Sequence, residues 1–490
     1  MKLVRIAGVV LLFFASGIAL SAQQPVEAPL KPAVRTPDPA PLAEPLSPGS
    51  SGQFAVAAPG DAVSLALETA DAGRVIVSTS GSSDTVLSVF DDSGNLMAWN
   101  DDYGEGLTSQ VVADLDAGMT YALVVTLYSP SSVGSFGITV SPLIDTSIDD
   151  FGGRDDPGTH RPGSTTAARL DFIGDTDAFT FTPEHSGVYR IETVGMLDTV
   201  MSVIDERGYV MFEADDTGKN LNPAIETGFR AGERYTVLVQ GYSQDYTGAY
   251  ELTSEAIADA PPLRPSTVRH EGEVYALIVG AADYQGSGDL VGTLTDSYNM
   301  YRYVRDVLGA PEENISLLQD QLGVFDDTIS DSMVQDALSD IAQRARPEDT
   351  VFFYYSGHGD ERNGVFSLSL PDGELTGEDL VSTITEIESD TVILIFDSCN
   401  AGGLGKLLVD ERRTVLSASA GDELSYVYEA GASARTLGSV FTSWFTDHLL
   451  YSEEALSLEE AFDRTVQDLH RVQATQNPQL FTMQADFRVR

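Results

Sequence analysis

The chain has 490 residues, 42% hydrophobic and 21% charged, a balance that excludes a disordered chain and a length that excludes a single core. Its 75 acidic and 28 basic residues leave a net charge of −47, which repels phosphate backbones and anionic lipid and so argues against nucleic acid and membrane surfaces as partners. The sole cysteine, Cys399, precludes an internal disulfide and leaves one thiol that is either core filling or a reactive group.

Residues 1–22 read as a secretory signal: Lys2 and Arg5 give the positive start, Ile6 to Leu20 an apolar run, and Ser21 and Ala22 the small residues of a cleavage site. The expectation is an exported protein, periplasmic or secreted, with no membrane insertion once the signal is removed. Residues 23–49, rich in Pro and Ala, read as an extended tether. Two copies of one domain follow, at 50–145 and 160–257. Asp84-Thr85-Val86-Leu87-Ser88-Val89 recurs as Asp198-Thr199-Val200-Met201-Ser202-Val203, and Gly60, Gly73, Gly94, Gly118, Tyr121 and Gly134 recur at the same offset of 114 residues. Short alternating runs separated by Gly-Asp and Ala-Gly turns predict an antiparallel β-sandwich for each copy. The Asp-Thr strand, the Asp-Asp turn and the Ala-Gly-x-x-Tyr strand resemble the bacterial pre-peptidase C-terminal domain, which implies a jelly-roll-like module for attachment, sometimes with calcium. Asp91, Asp92, Asp101, Asp102, Asp215 and Asp216 are oxygen ligands on that reading and Asx turn formers on the simpler one.

Residues 258–272, with Pro261-Pro262 and Pro265, read as a linker. From 273 to 490 the pattern alternates strand and helix. Continuous apolar runs at 274–279, 351–355, 391–396 and 415–418 predict buried strands; 296–308, 329–341, 377–387, 439–450 and 458–475 predict helices. This is an α/β domain with a mostly parallel sheet flanked by helices.

Two of these strands end in chemistry. One runs into Ser356-Gly357-His358-Gly359 and the other into Asp397-Ser398-Cys399-Asn400. Ligands of open parallel sheets sit beyond the carboxyl ends of strands. If these two strands are neighbours, an imidazole and a thiol face one crevice, His358 draws off the proton of Cys399, and the thiolate attacks a peptide carbonyl. The backbone N–H groups of Gly359 and Cys399 are the expected oxyanion donors. This chemistry requires a thiol within reach of the ring and open to substrate.

The boxes Tyr-Ser-Gly-His-Gly and Asp-Ser-Cys, the opening strand Tyr275 to Gly280, the segment Leu294 to Met300, and Gly438-Ser439-Val440-Phe441-Thr442 resemble the caspase-like peptidases, closest to the metacaspase branch of peptidase C14. The resemblance implies a caspase-haemoglobinase-like fold, a Cys–His dyad and cleavage of polypeptides after Arg or Lys. Asp296, Ser356 and Asp397 match the residues lining the first specificity pocket, where a cationic side chain needs a paired anion. No metal ligands are assigned and no cofactor is required by these residues; calcium is a candidate activator, with Asp360 and Asp372 as the candidate acids. Lys406, Arg412 and Arg413, after the cysteine, are candidate self-cleavage positions, as are Arg264 and Arg269 in the linker. Two other readings remain open: a catalytically silent caspase-like binding or adhesion protein, and a gingipain- or legumain-type peptidase of the same clan.

Overall fold

The computed structural model describes residues 20–22, 45–100, 107–154, 156–216, 221–243, 245–259, 272–284, 289–320, 328–428, 438–452, 454, 456–471 and 475–483. The expected leader, apart from 20–22, most of the tether, the linker with Arg264 and Arg269, and the turn acids Asp101 and Asp102 lie outside them. No helix among the described residues is long and apolar enough to cross a membrane.

The repeat in the sequence is a repeat in space. In the first copy, Ser51–Val56, Gly134–Val140, Gly73–Gly81 and Gln110–Leu115 form one antiparallel sheet, and Val63–Glu68, Thr120–Leu127, Thr85–Phe90 and Leu96–Asn100 a second. In the second copy, Thr165–Leu170, Gly248–Asp259, Gly187–Gly195 and Ala224–Phe229 repeat the first sheet. Thr176–Phe181, Tyr235–Gly241, Thr199–Ile204 and Val210–Ala214 repeat the second, to which Gly158–His160 adds a parallel edge strand. Register repeats as well: Val63 pairs with Val125, and Asp177, 114 residues on, with Val239. In the first copy the alternating apolar residues of both sheets, such as Val75, Val77, Leu65 and Leu67, merge into one core. Asp91 accepts the N–H groups of Ser93 and Asn95 (2.8 Å each) and the Asn95 amide (2.7 Å), so it forms the Asx turn of the simpler reading.

The C-terminal region is built on one six-stranded sheet in the order Ile315–Gln319, Val274–Gly280, Thr350–Ser356, Thr391–Asp397, Arg413–Ser417 and Gln479–Phe481. The first five are parallel and only the last edge strand is antiparallel. The central strands carry apolar residues on both faces because each face is covered, as a parallel sheet requires. One face packs on helices Gly292–Arg302, Val440–Tyr451 and Leu458–Arg471, the other on Asp331–Arg344, Gly377–Ile384 and Gly402–Leu408. A three-stranded antiparallel sheet, Gly359–Arg362, Val365–Leu370 and Gly373–Thr376, rises from the end of the histidine strand.

The second sandwich is docked on this region. Its Val210–Ala214 strand lies along helix Gly292–Arg302, where Met211 and Phe212 join one buried cluster with Tyr298 and Tyr301. The Gln319 side chain accepts the Val210 N–H (3.0 Å) and donates to the Val210 carbonyl (2.9 Å), as another strand would. The Tyr298 hydroxyl donates to Asp205 (3.4 Å), and Arg230 pairs with Asp306 (2.7 Å). The second sandwich and the C-terminal region are therefore joined by a packed interface as well as by the linker.

Candidate active site

The histidine strand Thr350–Ser356 and the cysteine strand Thr391–Asp397 are parallel neighbours, with Ser356 opposite Asp397. His358 and Cys399 each stand two residues beyond that paired end, so the register carries both functional groups to the same rim, with the strands about 4.8 Å apart. The loops are interlocked. The Gly357 N–H donates to the Asp397 carbonyl (3.2 Å). A side chain at Gly359 would meet Ser398 Cβ at 2.9 Å, and the Cys399 carbonyl oxygen would be closer still. The glycine is therefore required by the approach of the two backbones. Asn400 turns the chain out of the cysteine strand with a left-handed φ of 58°, a conformation Asn adopts at low cost.

Two tyrosines hold the histidine loop. The Tyr284 hydroxyl accepts the His358 N–H (2.9 Å) and donates to the Ser369 carbonyl (3.0 Å), and its ring meets the imidazole edge-on at 4.5 Å. The Tyr355 hydroxyl donates to the His358 carbonyl (2.8 Å). A side chain at Gly357 would strike both hydroxyls. Neither tyrosine carries a sequence signal: Tyr355 ends the apolar run 351–355, and Tyr284 follows Asp283 beyond the run 274–279.

Cys399 and His358 are each 2% exposed. This corrects the expectation of a thiol open to substrate. Burial pushes the thiol up to about 11; the Ser425 N–H opposes this, while Asp397 and Asp360 add to it. A thiol so placed is protonated at neutral pH and needs a base to react. Ser425 opens the short strand Tyr426–Tyr428, which pairs antiparallel with Leu20–Ala22, so the end of the expected signal lies along the edge beside the site.

The three residues expected to line the first pocket converge. Asp296 accepts the Ser356 hydroxyl (3.0 Å) and the Ser439 N–H (3.0 and 3.1 Å to its two oxygens). Asp397 accepts the Ser425 hydroxyl (2.8 Å), the Ser439 hydroxyl, and the Thr442 hydroxyl (2.7 Å) and N–H (3.2 Å). Ser439 caps helix Val440–Tyr451, so the helix N-terminus faces Asp397 and favours its negative form. Both carboxylates are buried. Burial and the Asp397 charge hold Asp296 well above the usual carboxylate range, and burial likewise raises Asp397. Two carboxylates so close favour a shared proton until a cation neutralises them. Ser425, Ser439 and Thr442 complete this cluster without having been assigned to it; the visible signal is Gly438-Ser439 ahead of an apolar helix, which reads equally as a cap.

Asp360 pairs with Arg362 (2.5 Å) and Asp372 lies at an isolated bridge to Ser330; neither belongs to a group of acids able to hold an ion among the described residues. The stretch expected as a cleavable loop is ordered. Lys406 is exposed on helix Gly402–Leu408, Arg413 opens a sheet strand and pairs with Asp410 (2.6 Å), and the Arg412 carbonyl accepts the Val392 N–H (2.9 Å).

Comparison with known proteins matches residues 273–488 to the caspase domain. Metacaspase-1 of Candida glabrata is 29% identical over 148 residues, 27% of this chain and 37% of the relative. Metacaspase-1A of Aspergillus oryzae is 29% identical over 142 residues, 26% of this chain and 34% of the relative. Metacaspase-1A of Aspergillus niger is 25% identical over 262 residues, 46% of this chain and 63% of the relative. The chain thus spans about a third of the length of the first of these relatives and under two thirds of the last. The strand order, the paired ends at Ser356 and Asp397 and these matches agree that residues 273–488 are a caspase-like domain, similar to the metacaspases and so to a family of cysteine peptidases.

Proposed function

We propose that the chain is an exported cysteine endopeptidase with Cys399 as nucleophile and His358 as general base, cleaving after Arg or Lys. The observation that supports the reading is the in-register pairing of the two strands, after which His358 and Cys399 each follow two residues beyond the paired ends Ser356 and Asp397. His358 takes the thiol proton, the thiolate adds to the peptide carbonyl, and the oxyanion is received by the N–H groups of Gly359 and Cys399. His358 then returns the proton to the leaving amine, and water hydrolyses the thioester. A guanidinium or ammonium entering beside Asp296 and Asp397 lets both ionise, which favours a basic residue before the cut.

The enclosed thiol favours a second reading, a silent caspase-like binding protein. The pairing of Leu20–Ala22 with Tyr426–Tyr428 supports the enzymatic one. Removal of the expected signal after Ala22 takes that strand away and leaves an edge on which an extended substrate can pair. The test uses the chain beginning at Gln23, a peptide library with each residue type before the cut, and Cys399→Ala as control. Cleavage after Arg and Lys that the alanine variant lacks is the expected result. No cleavage, together with no labelling of Cys399 by a peptidyl-arginine chloromethylketone, establishes the silent reading. Self-processing belongs to the same proposal; Lys406, the exposed one of the three basic residues, is the expected position.

A further inference from the structure

We propose that the second sandwich is a working part of the active site: docked on helix Gly292–Arg302, it positions Asp296 for the basic residue before the cut, and Gln319 is the positioning residue that joins the two. The inference rests on the peptidase reading above. Helix Gly292–Arg302 opens without a side-chain cap, so its first turns depend on neighbours for their place. The sandwich supplies such neighbours. Leu294, two residues before Asp296, is buried in one cluster with Ile204, Val210 and Leu238 of the sandwich and with Ala282. The Gln319 amide ties the same elements together. Its oxygen accepts the Val210 N–H, and its nitrogen donates to the Val210 carbonyl, the Leu294 carbonyl (3.0 Å) and the Ser297 hydroxyl (3.0 Å). Leu294 and Ser297 bracket Asp296, whose carboxylate is turned to Ser356 and Ser439. One turn beyond Leu294, Tyr298 donates to Asp205 of the sandwich. The hold extends to the histidine loop. Asp320, next to Gln319, accepts the N–H groups of Ala282 (2.8 Å) and Asp283 (3.1 Å). Tyr284 follows at once, and its hydroxyl accepts the His358 N–H.

The first sandwich supplies an internal comparison. Strand Leu96–Asn100 is the counterpart of Val210–Ala214, 114 residues earlier and with the same register shift against its neighbour. Val210–Ala214 is buried along its whole length, whereas in Leu96–Asn100 only Ala98 is. The side chains that reach the catalytic region are particular to the second copy. Arg207 pairs with Glu312 (2.5 Å), Arg230 pairs with Asp306, and the Tyr209 ring meets Tyr301 edge-on at 5.3 Å. The first copy has Ser93, Asp116 and Asn95 at these places. Two arginines set against facing carboxylates, in a chain with 28 basic residues to 75 acidic, give this face a complementarity that the first copy lacks. The same strand is thus a plain sheet edge in one copy and a docking face in the other, and what it docks on is the helix that carries the pocket acid.

The test uses the chain beginning at Gln23 and paired peptides with Arg or Gln before the cut. The triple variant Arg207→Ser, Tyr209→Asn, Arg230→Asp copies the first sandwich and leaves Asp296 and the dyad untouched; Gln319→Leu removes the amide from the catalytic side. In each, the ratio of kcat/KM for the Arg over the Gln peptide is expected to fall at least about tenfold. Amide hydrogen exchange of helix Gly292–Arg302 is expected to quicken at least about tenfold. Arg190→Ala, which breaks pairs with Glu192 and Glu226 inside the sandwich, is expected to change neither. An unchanged ratio overturns the proposal even where both rates drop, because the sandwich is then support alone. Unchanged helix exchange in both variants overturns it equally. The fold already accepts the triple variant's residues in its first copy, so that variant decides alone if Gln319→Leu does not fold. A parent chain that cleaves neither peptide refutes the peptidase reading instead, and helix exchange, which needs no turnover, then decides the docking by itself.

Discussion

A methyl group at position 359 tests the active-site geometry directly. The built Cβ lies 2.9 Å from Ser398 Cβ and 2.6 Å from Ser398 Oγ, with the Cys399 carbonyl closer. Ordinary contact begins near 3.4 Å, so the histidine and cysteine loops must part by about 1 Å. Misplacing reacting groups by about 1 Å costs about 100-fold in rate, and overpacking of this size costs about 1–3 kcal/mol of stability. At about 2–4 °C per kcal/mol for a domain of this size, Gly359→Ala lowers Tm by roughly 2–12 °C. The assay is kcat/KM on a peptidyl-arginine amide at a temperature where circular dichroism shows the variant folded. Gly228→Ala serves as control, since a Cβ there meets nothing within 4 Å. A folded Gly359→Ala enzyme with the parent's kcat/KM refutes the inferred proximity of the two loops to the reacting carbonyl.

Four further outcomes follow from the same structure. Asp296→Asn removes one anion of the buried pair; truncating such a partner costs about 3–5 kcal/mol, so kcat/KM for Arg substrates falls at least about 100-fold while a Gln substrate is little affected, read from paired substrates. Tyr284→Phe leaves the buried His358 N–H without its acceptor; a loss of about 1–3 kcal/mol is expected in urea unfolding, with kcat falling more than KM rises. Cys399, at about 11 in the enclosed state, is roughly 0.03% thiolate at pH 7.5 against roughly 9% for an ordinary thiol, so iodoacetamide should label the full chain about 300-fold more slowly than a small thiol, and faster once residues 1–22 are gone. Asp177 is raised to about 8, chiefly by burial. Its unfolded form ionises first, so stability falls as pH climbs from about 4 to about 8 and is flat above; at about 1.4 kcal/mol per unit the loss is at most about 5–6 kcal/mol, and Asp177→Asn flattens that slope in urea titrations at pH 5 and 8.5.

The packed face between the second sandwich and helix Gly292–Arg302 adds a consequence for processing. Cutting the linker near Arg264 or Arg269 is expected to leave both fragments associated in gel filtration, because separation exposes Met211, Phe212, Tyr298 and Tyr301.

The repeat, the buried strands and the two glycine-flanked boxes were legible in the amino acids, since each is written in local order: the 114-residue offset, unbroken apolar runs such as Val392 to Phe396, and His358 and Cys399 just past such runs. The short edge strands Ile315–Gln319 and Gln479–Phe481, the sheet Gly359–Thr376 and helix Gly402–Leu408 were not, because their pairing is set by neighbours rather than by period. Long-range placement also decided the site's partners. Ser439 reads as a helix cap, and only the fold brings it across to Asp296 and Asp397; Tyr284 carries no signal in the sequence, and only the fold puts its ring against His358. Whether the thiol meets solvent was likewise outside the reach of sequence, because exposure is a property of what the rest of the chain packs over a residue and not of the residue itself.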